Sequence, residues 1–381
     1  MYGLAIGDAL GMPTQHLSRH EIAARWGERL HGFEPAPPGH PIAAGAPAGA
    51  VTDDTEQAVL LGRLLVKGHG TVDLRELAEA LISWEGDMAA RGSLDLLGPS
   101  TRRAVAAVLA GVPPEEAGAS GNTNGAAMRI TPVGLAVSLD IPALASRTTP
   151  APPAPAPLIT PAPPARALRT SPATQESLTA LVDHVEAASR VTHNTGIALA
   201  GAAAVAAAVS AGVSGAGIAE ATAIAIAAAR LAAQRGHWVA GADVAARIEW
   251  ATGLVTGLPE AEAADLIYTL VGTSLATQES VPAAFAVLTA VPADPWQACL
   301  VAASLGGDCD TIAAMAGAVG GACHGVEAFP PEAIAAIDAQ GLDLATLADD
   351  LAALRQRFVP PRRRRRAFPV AARATGQGGA G

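Results

Sequence analysis

Apolar residues recur at helical spacing along most of this 381-residue chain, and no stretch shows the sustained alternation that is typical of a β-strand. Half of the residues are hydrophobic but only 3% are aromatic, so alanine, leucine and valine must supply most of the core. No repeat has a solenoid period. The pattern predicts an all-α fold, a single compact helical bundle. It is clearest in six segments, which are 55–68, 72–87, 99–111, 176–191, 219–236 and 312–325.

Two sets of glycines recur every four residues, and on a helix each set would lie along one face. One set lies near the start of the chain and the other near its end: Gly3, Gly7 and Gly11, and Gly317, Gly321 and Gly325. Because glycine has no side chain, two helices could approach closely along such faces. We interpret the glycines as a packing feature that holds neighbouring helix starts rigidly.

Two clusters of aspartate and threonine each precede a helical segment. The first is TDDT at 52–55, and the second lies in GGDCDT at 306–311. Either cluster alone is explained by helix capping, because Thr and Asp side chains accept hydrogen bonds from the first turn. Together they offer hard oxygen donors, which Mg²⁺ and Mn²⁺ prefer, and their like charges would repel without a cation. The candidate metal ligands are Thr52, Asp53, Asp54, Asp308, Asp310 and Thr311.

Five motifs resemble the ADP-ribosylglycohydrolase family and follow its order. They are GLAIGDALGMP (3–13), TDDT (52–55), GNTNGAAMRITPVGL (121–135), VTHNT (191–195) and GGDCDTIAAMAGAVGGA (306–322). The resemblance implies an orthogonal helical bundle of that family's type and a hydrolase of N- or O-glycosidic bonds that uses two Mg²⁺ or Mn²⁺ ions. In that setting Asp8 is expected to be a buried hydrogen-bond partner rather than a metal ligand.

The same resemblance indicates substrate contacts. The loop GNTNG resembles the family's ligand-binding loop, and His193 lies in another of the matching motifs. An ordinary Gly/Asn turn and a packed core histidine are the alternatives for these two features. The candidate substrate-binding residues are Gln15, Gly121, Asn122, Thr123, Asn124, Gly125 and His193.

The chain departs from the family pattern at two positions. Gln15 stands where many members have a glutamate, and a glutamine cannot take a proton at neutral pH. A general base would therefore be a metal-bound water oriented by Asp54 or Asp310, the two candidate catalytic residues, or an acid such as Glu85 or Asp87. Asn122 lies near the place where some members stack an aromatic ring on adenine, which suggests a smaller or differently held ligand.

Three functions follow from the resemblance and its departures. The leading hypothesis is cleavage of the ribosyl C1 bond, releasing ADP-ribose from a modified protein side chain. A hydrolase of a small ribosyl compound or nucleoside is the alternative within the same chemistry. A non-catalytic binder of ADP-ribose-like ligands is the third possibility, because Gln15 replaces the acid.

The domain prediction places residues 1–358 in one helical domain. A stretch rich in Pro, Ala and Thr at about 146–177 is predicted to be an extended or disordered insert. Residues 359–381, with RRRRR at 362–366, are predicted to be a flexible basic tail that catalysis does not need.

Charge and composition bear on partners and location. The formal charge is −10, and the six arginines in 360–381, where there is no acid, leave −16 for the rest, which argues against nucleic acid as a main partner. The uncharged segment 196–217 is long enough to span a bilayer, but its Ala and Gly content indicates a core helix and no membrane partner. Three cysteines without CxxC spacing and the absence of a signal-like N-terminus predict a cytoplasmic protein, either a monomer or a homodimer.

Overall fold

The computed structural model describes residues 1–92, 97–141 and 171–358, and within these ranges it contains helices and no β-strand. The α-helices of the first half are α1 Tyr2–Gly11, α2 Arg19–Trp26, α3 Asp53–Lys67, α4 Leu74–Ala90, α5 Pro99–Leu109, α6 Pro114–Ala117, α7 Gly125–Met128, α8 Thr131–Ala136 and α9 Pro172–Ser189. Those of the second half are α10 Gly196–Val213, α11 Ile218–Ala232, α12 Val244–Val255, α13 Glu260–Leu266, α14 Thr277–Ala290, α15 Pro295–Ala303, α16 Cys309–His324, α17 Pro331–Asp338 and α18 Leu344–Arg357. A π-helical turn, Ile267–Val271, follows α13, and a 3₁₀ turn, Val326–Ala328, follows α16. The all-α prediction is confirmed.

The first helix, α1, lies against α16 at backbone-to-backbone distance. A Cβ atom placed on Gly7 would lie 2.0 Å from the carbonyl oxygen of Ala313, and one on Gly317 would lie 2.0 Å from that of Gly3. At the other end of α1, a Cβ on Gly11 would lie 2.2 Å from the Cα of Asp310. The predicted close packing of helices along the glycine faces is therefore present, the two faces pack against each other, and their contact extends to a candidate metal ligand. Gly325 is the exception, because it ends α16 with a φ of 87°.

The core is built around α10, which packs against α11, α16, α8 and α9. Its residues Gly196–Val213 are apolar and long enough to cross a membrane by length and composition, yet 89% of this span is buried inside the protein. Alanine supplies most of its buried surface. Since small side chains allow helices to approach on all sides, a helix without a polar face becomes the centre of the bundle.

The structure changes one predicted boundary. Helix α9 begins at Pro172, whereas the insert was predicted to continue to about residue 177. Ser171 caps the helix by accepting a hydrogen bond from the Thr174 amide at 3.1 Å, and Pro172 fits the first helical position. The part of the predicted insert before residue 171 lies outside the described residues. The predicted basic tail, 359–381, lies outside them as well.

The close contact between α1 and α16 predicts a strong effect of Gly7→Ala. The added methyl group would overlap the backbone of Ala313, and because backbone cannot rotate away we expect a loss of about 1–3 kcal/mol or more in unfolding free energy. The matched control is Gly86→Ala in α4, where a Cβ meets nothing within 4 Å. That variant should gain about 0.5–1 kcal/mol, because alanine is the better helix former. Chemical denaturation measures both, and equal stability of the two variants would contradict this packing.

Candidate functional site

The carboxylate of Asp8, on α1, holds the N-terminus of α3. It accepts hydrogen bonds from the Thr52 amide at 3.0 Å and the Thr52 hydroxyl at 2.8 Å. It also accepts the Thr55 amide at 3.1 Å and a short bond from the Thr55 hydroxyl. Asp8 is fully buried, so both of its oxygens are used inside the protein. The structure thus agrees with the expectation that Asp8 is a buried hydrogen-bond partner.

The two acidic clusters meet, although they are more than 250 residues apart in sequence. The hydroxyl of Thr311, in the first turn of α16, donates to Oδ2 of Asp54 at 3.1 Å. Oδ1 of Asp54 is buried and has no hydrogen-bond partner within the described ranges. The N-terminal turns of α3 and α16 therefore face each other across a small group of oxygen atoms.

A cleft of about 210 Å³ opens beside this junction. Four of the six candidate metal ligands line it, namely Asp53, Asp308, Asp310 and Thr311. Thr52 and Asp54 lie behind them and are 2% and 1% exposed. The candidate metal ligands therefore form the floor of the cleft and the layer directly beneath that floor.

The acidic floor is electrostatically unfavourable by itself. Burial, reinforced by the charges of Asp310, Asp53, Asp8 and Asp308, raises the pKa of Asp54 well above its usual range. Burial also raises the pKa of Asp308, and it raises the pKa of Asp8 to about 6 although Thr55 and Thr52 donate to that carboxylate. Carboxylates in such surroundings either keep protons or attract a cation.

Carboxylates alone do not make a complete metal site here. Among the described residues, no three His, Cys, Asp or Glu side chains converge into a group that could hold an ion. The donor chemistry nevertheless fits a hard cation, since the cluster offers carboxylate and hydroxyl oxygens and includes the buried, unpartnered Oδ1 of Asp54. Hydroxyl oxygens must therefore be part of any ligand set.

Part of the predicted substrate-binding loop lies at the cleft. Thr123, Asn124 and Gly125 line the cleft, and the Asn124 amide donates to Asp308 at 2.5 Å. Gly121 packs against the Thr192 backbone, where a Cβ would lie 2.0 Å from the carbonyl oxygen, and is not among the lining residues. Asn122 is also absent from the lining, and its carbonyl accepts a hydrogen bond from Thr277.

His193 and Gln15 differ in their access to the cleft. His193 is fully buried and stands behind the loop, where its Nε2 lies 3.0 Å from the Thr123 hydroxyl. A direct substrate contact by His193 is therefore not what the structure shows. Gln15 does line the cleft, and its buried Nε2 lacks a hydrogen-bond partner in the described part of the chain. Its amide can donate to a bound oxygen but cannot accept a proton.

The two alternative bases lie outside the cleft lining. Glu85, on α4, forms a 3.9 Å ion pair with Arg102, which itself lines the cleft, and Asp87 is exposed.

A larger cavity of about 520 Å³ lies between α4, α5 and α6 and includes none of the predicted site residues.

Sequence reasoning missed four residues at or below the site. His16 and Arg102 line the cleft, and His16 has a φ of 60°, a strained value for a residue with a side chain. Gln57 and Arg129 lie beneath the floor, where Arg129 is 1% exposed. Arg129 had a detectable signal, since it is the one charged residue between Glu116 and Asp140. A lone charge in a long uncharged segment indicates a specific buried role.

Sequence and structure comparisons place these residues in a known context. The model of the ADP-ribosylglycohydrolase family matches residues 1–152 and 143–359. The uncharacterized protein YegU of Escherichia coli (strain K12) is 32% identical over 358 residues, which cover 93% of this chain and 96% of that protein. An uncharacterized protein of Archaeoglobus fulgidus is 30% identical over 324 residues, covering 84% and 85%.

Two further matches carry descriptive names. The ADP-ribosyl-[dinitrogen reductase] glycohydrolase of Rhodospirillum rubrum is 32% identical over 147 residues, 35% of this chain and 42% of that enzyme. A solved structure described as an ADP-ribosylglycohydrolase-related protein complex superposes with a TM-score of 0.54 at 21% identity and covers 94% of this chain and 95% of that one. The structural match supports the fold.

The position of Asp8 predicts the effect of Asp8→Asn. Asparagine keeps the shape but replaces one acceptor oxygen by a donor, which leaves buried donors of Thr52 and Thr55 without an acceptor. We expect a loss of about 1–3 kcal/mol for each such donor. Asp73→Asn is the matched control, because Asp73 caps α4 at 2.9 Å and Asn caps helices equally well. Thermal and chemical denaturation measure both; an Asp8→Asn variant as stable as the control would refute the anchoring role.

Proposed function

The chain belongs to the ADP-ribosylglycohydrolase family and is a hydrolase, and on that basis we propose a dinuclear-metal-dependent glycosidase that cleaves the ribosyl C1 N- or O-glycosidic bond. We propose further that it releases ADP-ribose from a modified protein side chain, since the Rhodospirillum rubrum relative is named as a glycohydrolase of an ADP-ribosylated protein, dinitrogen reductase. The observation that carries the proposal is the Thr311–Asp54 contact, because it brings both acidic clusters to one cleft.

In this proposal the ions are Mg²⁺ or Mn²⁺, and their ligands come from Thr52, Asp53, Asp54, Asp308, Asp310 and Thr311. Bound ions of this kind polarise substrate oxygens and lower the pKa of water. The support is chemical: the oxygens are hard donors, the floor is acidic and buried, and Oδ1 of Asp54 lacks a partner within the described residues.

The chain's own residues have separable tasks. As the C1 bond breaks, positive charge develops on the ribose ring, and of the floor carboxylates Asp53, Asp308 and Asp310 those that a bound ion leaves un-neutralised would stabilise that charge. Of the two proposed catalytic residues, Asp310 lines the cleft, where it would orient the attacking water and take the proton it loses, and Asp54 lies directly beneath the floor. Gln15 contributes an N–H donor that orients a substrate oxygen.

The cleft volume bears on the substrate. Sites for drug-sized ligands usually measure about 300–1,000 Å³, and this cleft of about 210 Å³ is smaller. A ribose ring fits such a volume, while a larger group must extend towards solvent. The same observation favours the second candidate, a hydrolase of a small ribosyl compound or nucleoside. Cytoplasmic location and a monomeric or homodimeric state stay predictions.

A turnover assay tests the function. The full chain is incubated with Mg²⁺ or Mn²⁺ and, in parallel, with a chelator, against ADP-ribosylated arginine, serine and nucleic-acid substrates and free nucleosides, with products identified by mass spectrometry. We expect metal-dependent release of ADP-ribose from a protein-type substrate. Release of a free base from a nucleoside would favour the small-substrate alternative, and a ligand that binds without any product would favour a non-catalytic binder.

The metal assignment predicts the behaviour of Asp54→Asn and Asp310→Asn. An ion present at 100 times its Kd stabilises a protein by about 2.7 kcal/mol, so the wild type should melt at a higher temperature in Mg²⁺ or Mn²⁺. Each variant replaces a charged metal-ligand carboxylate by a neutral amide, so its melting temperature should rise much less on adding metal. Without metal, both should be at least as stable as the wild type, because fewer like charges repel. Asp73→Asn is the control, and its melting temperature should rise on adding metal as much as that of the wild type. An equal rise in all four proteins would contradict the assignment of the metal ligands.

A further inference from the structure

A buried guanidinium, that of Arg129, lies beneath the site and is hydrogen-bonded to uncharged side chains. Arg129 follows α7, is 1% exposed, and forms no ion pair with any carboxylate that the structure describes. Its Nη1 donates to Oε1 of Gln57 at 2.9 Å, and its Nη2 donates to the Thr192 hydroxyl at 2.5 Å. Burial lowers the pKa of Arg129 to about 10, so it remains charged at neutral pH. Burying a charge in this way is costly, which suggests a specific task.

One arm of this network leads to the acidic floor. A guanidinium can only donate, so the Gln57 amide must turn its oxygen towards Arg129. Its nitrogen then faces the floor and donates to Oδ2 of Asp53 at 2.8 Å. Arg129, which can only donate, and the Asp53 carboxylate, which can only accept, select the same orientation of the Gln57 amide.

The other arm leads to the substrate loop. Because the Thr192 oxygen accepts from Arg129, its hydroxyl proton is available to a second partner, and Nδ1 of His193 lies 2.8 Å away. Burial, with the charges of Arg129 and Arg103, lowers the pKa of His193 well below its usual value, so the ring is neutral. A neutral ring that accepts at Nδ1 carries its proton on Nε2.

The last step reaches the cleft. In that tautomer Nε2–H of His193 donates to the Thr123 hydroxyl oxygen, which lies 3.0 Å away. The Thr123 oxygen is then occupied as an acceptor towards the interior, so its own proton is left to donate into the cleft that Thr123 lines. Every hydrogen bond in this arm thus runs outward, from Arg129 through Thr192 and His193 to Thr123.

We propose that Arg129 is a positioning residue that sets the direction of both arms, so that Gln57 donates to Asp53 and the Thr123 hydroxyl donates to an oxygen of the bound ligand. The identity of that ligand rests on the proposed function, and its chemical class is a ribosyl compound that presents a hydroxyl or phosphate oxygen to Thr123. The hydrogen-bond directions themselves do not depend on turnover.

The competing arrangement is defined by one contact. The carbonyl of Ser189 lies 3.4 Å from the Thr192 hydroxyl, farther than Nδ1 of His193. If Thr192 donated there, Nδ1–H of His193 would donate to Thr192, and Nε2 would accept from Thr123. The Thr123 hydroxyl would then be unable to donate to a ligand. The two arrangements differ in the tautomer of a single histidine.

Nitrogen-15 NMR of the full-length chain, labelled at histidine, decides between the tautomers. The His193 resonances are assigned by their loss in His193→Gln. We expect a neutral ring protonated at Nε2 in the wild type, and a ring protonated at Nδ1 would overturn the proposal. This result holds whether or not the protein hydrolyses any substrate, so failure of the proposed function would be seen separately.

Variants of the guanidinium provide the second test. Arg129→Met removes all donors, and Arg129→Lys keeps the charge but lacks the fork that reaches both partners. We expect the His193 tautomer to become mixed in both. Ligand affinity, measured as the Kd for ADP-ribose or as KM, should weaken about 3- to 10-fold, the effect of one lost hydrogen bond. If Arg129→Met does not fold, the Arg129→Lys variant and the wild-type spectrum still test whether Arg129 sets the His193 tautomer.

Three further variants distinguish positioning from a general structural effect. Thr123→Val should weaken ligand affinity similarly, and its combination with Arg129→Lys should add little, because both act through one hydroxyl. Fully additive effects would overturn the proposal. Arg355→Met is the control, since Arg355 is partly buried and donates to the backbone carbonyls of Gly134 and Val137 away from the cleft. It should lower stability without changing the tautomer or the affinity.

Discussion

The carboxylate of Asp8 is the interaction on which the rest of the site depends, since it ties the start of α3 to α1 through both threonines of TDDT. α1 is in turn held against α16 by glycines that allow their backbones to touch. These two contacts place the starts of α3 and α16 side by side. The distance between the acidic clusters is therefore set by backbone packing rather than by the carboxylates themselves.

That packing forces like charges together, and the surrounding structure moderates the result. Burial raises the pKa values of Asp54 and Asp308, and hydrogen bonds from Thr311 and Asn124 only partly offset the repulsion. Arg129 contributes a buried positive charge beneath the floor, which interacts with Asp53 and is linked to it by hydrogen bonds through Gln57. Repulsion between the buried carboxylates therefore destabilises the site, and a bound cation would reduce that repulsion. This is the physical basis of the proposed metal dependence.

Much of the fold could be predicted because its signals are local. Helical periodicity located segments of α3, α4, α5, α9, α11 and α16, and the glycine spacing predicted faces suited to close helix packing, which in the structure are those of α1 and α16. Helix α14 was missed, since it carries Pro282 in its interior, and the start of α9 was hidden in a proline-rich stretch. Propensity describes isolated helices, whereas packing decides such cases.

The site was predictable to the extent that motifs mark it. Thr52 to Asp54 and Asp308 to Thr311 were found from residue type and order, and the structure brings them together. The residues one layer deeper could not be predicted, because the roles of Gln57 and Thr192 depend on which side chain faces them across the bundle. His193 shows how far a motif alone can place a side chain. Its motif predicted a contact with the ligand, and the fold places it behind Thr123.

Anomalous diffraction from crystals grown with Mn²⁺ tests the central claim most directly. We expect anomalous density between the first turns of α3 and α16, within bonding distance of oxygens from Asp53, Asp54 and Asp310, and loss of that density in Asp310→Asn. A crystal with Mn²⁺ at a concentration that raises the melting temperature but with no density at this position, or with density elsewhere only, would contradict it.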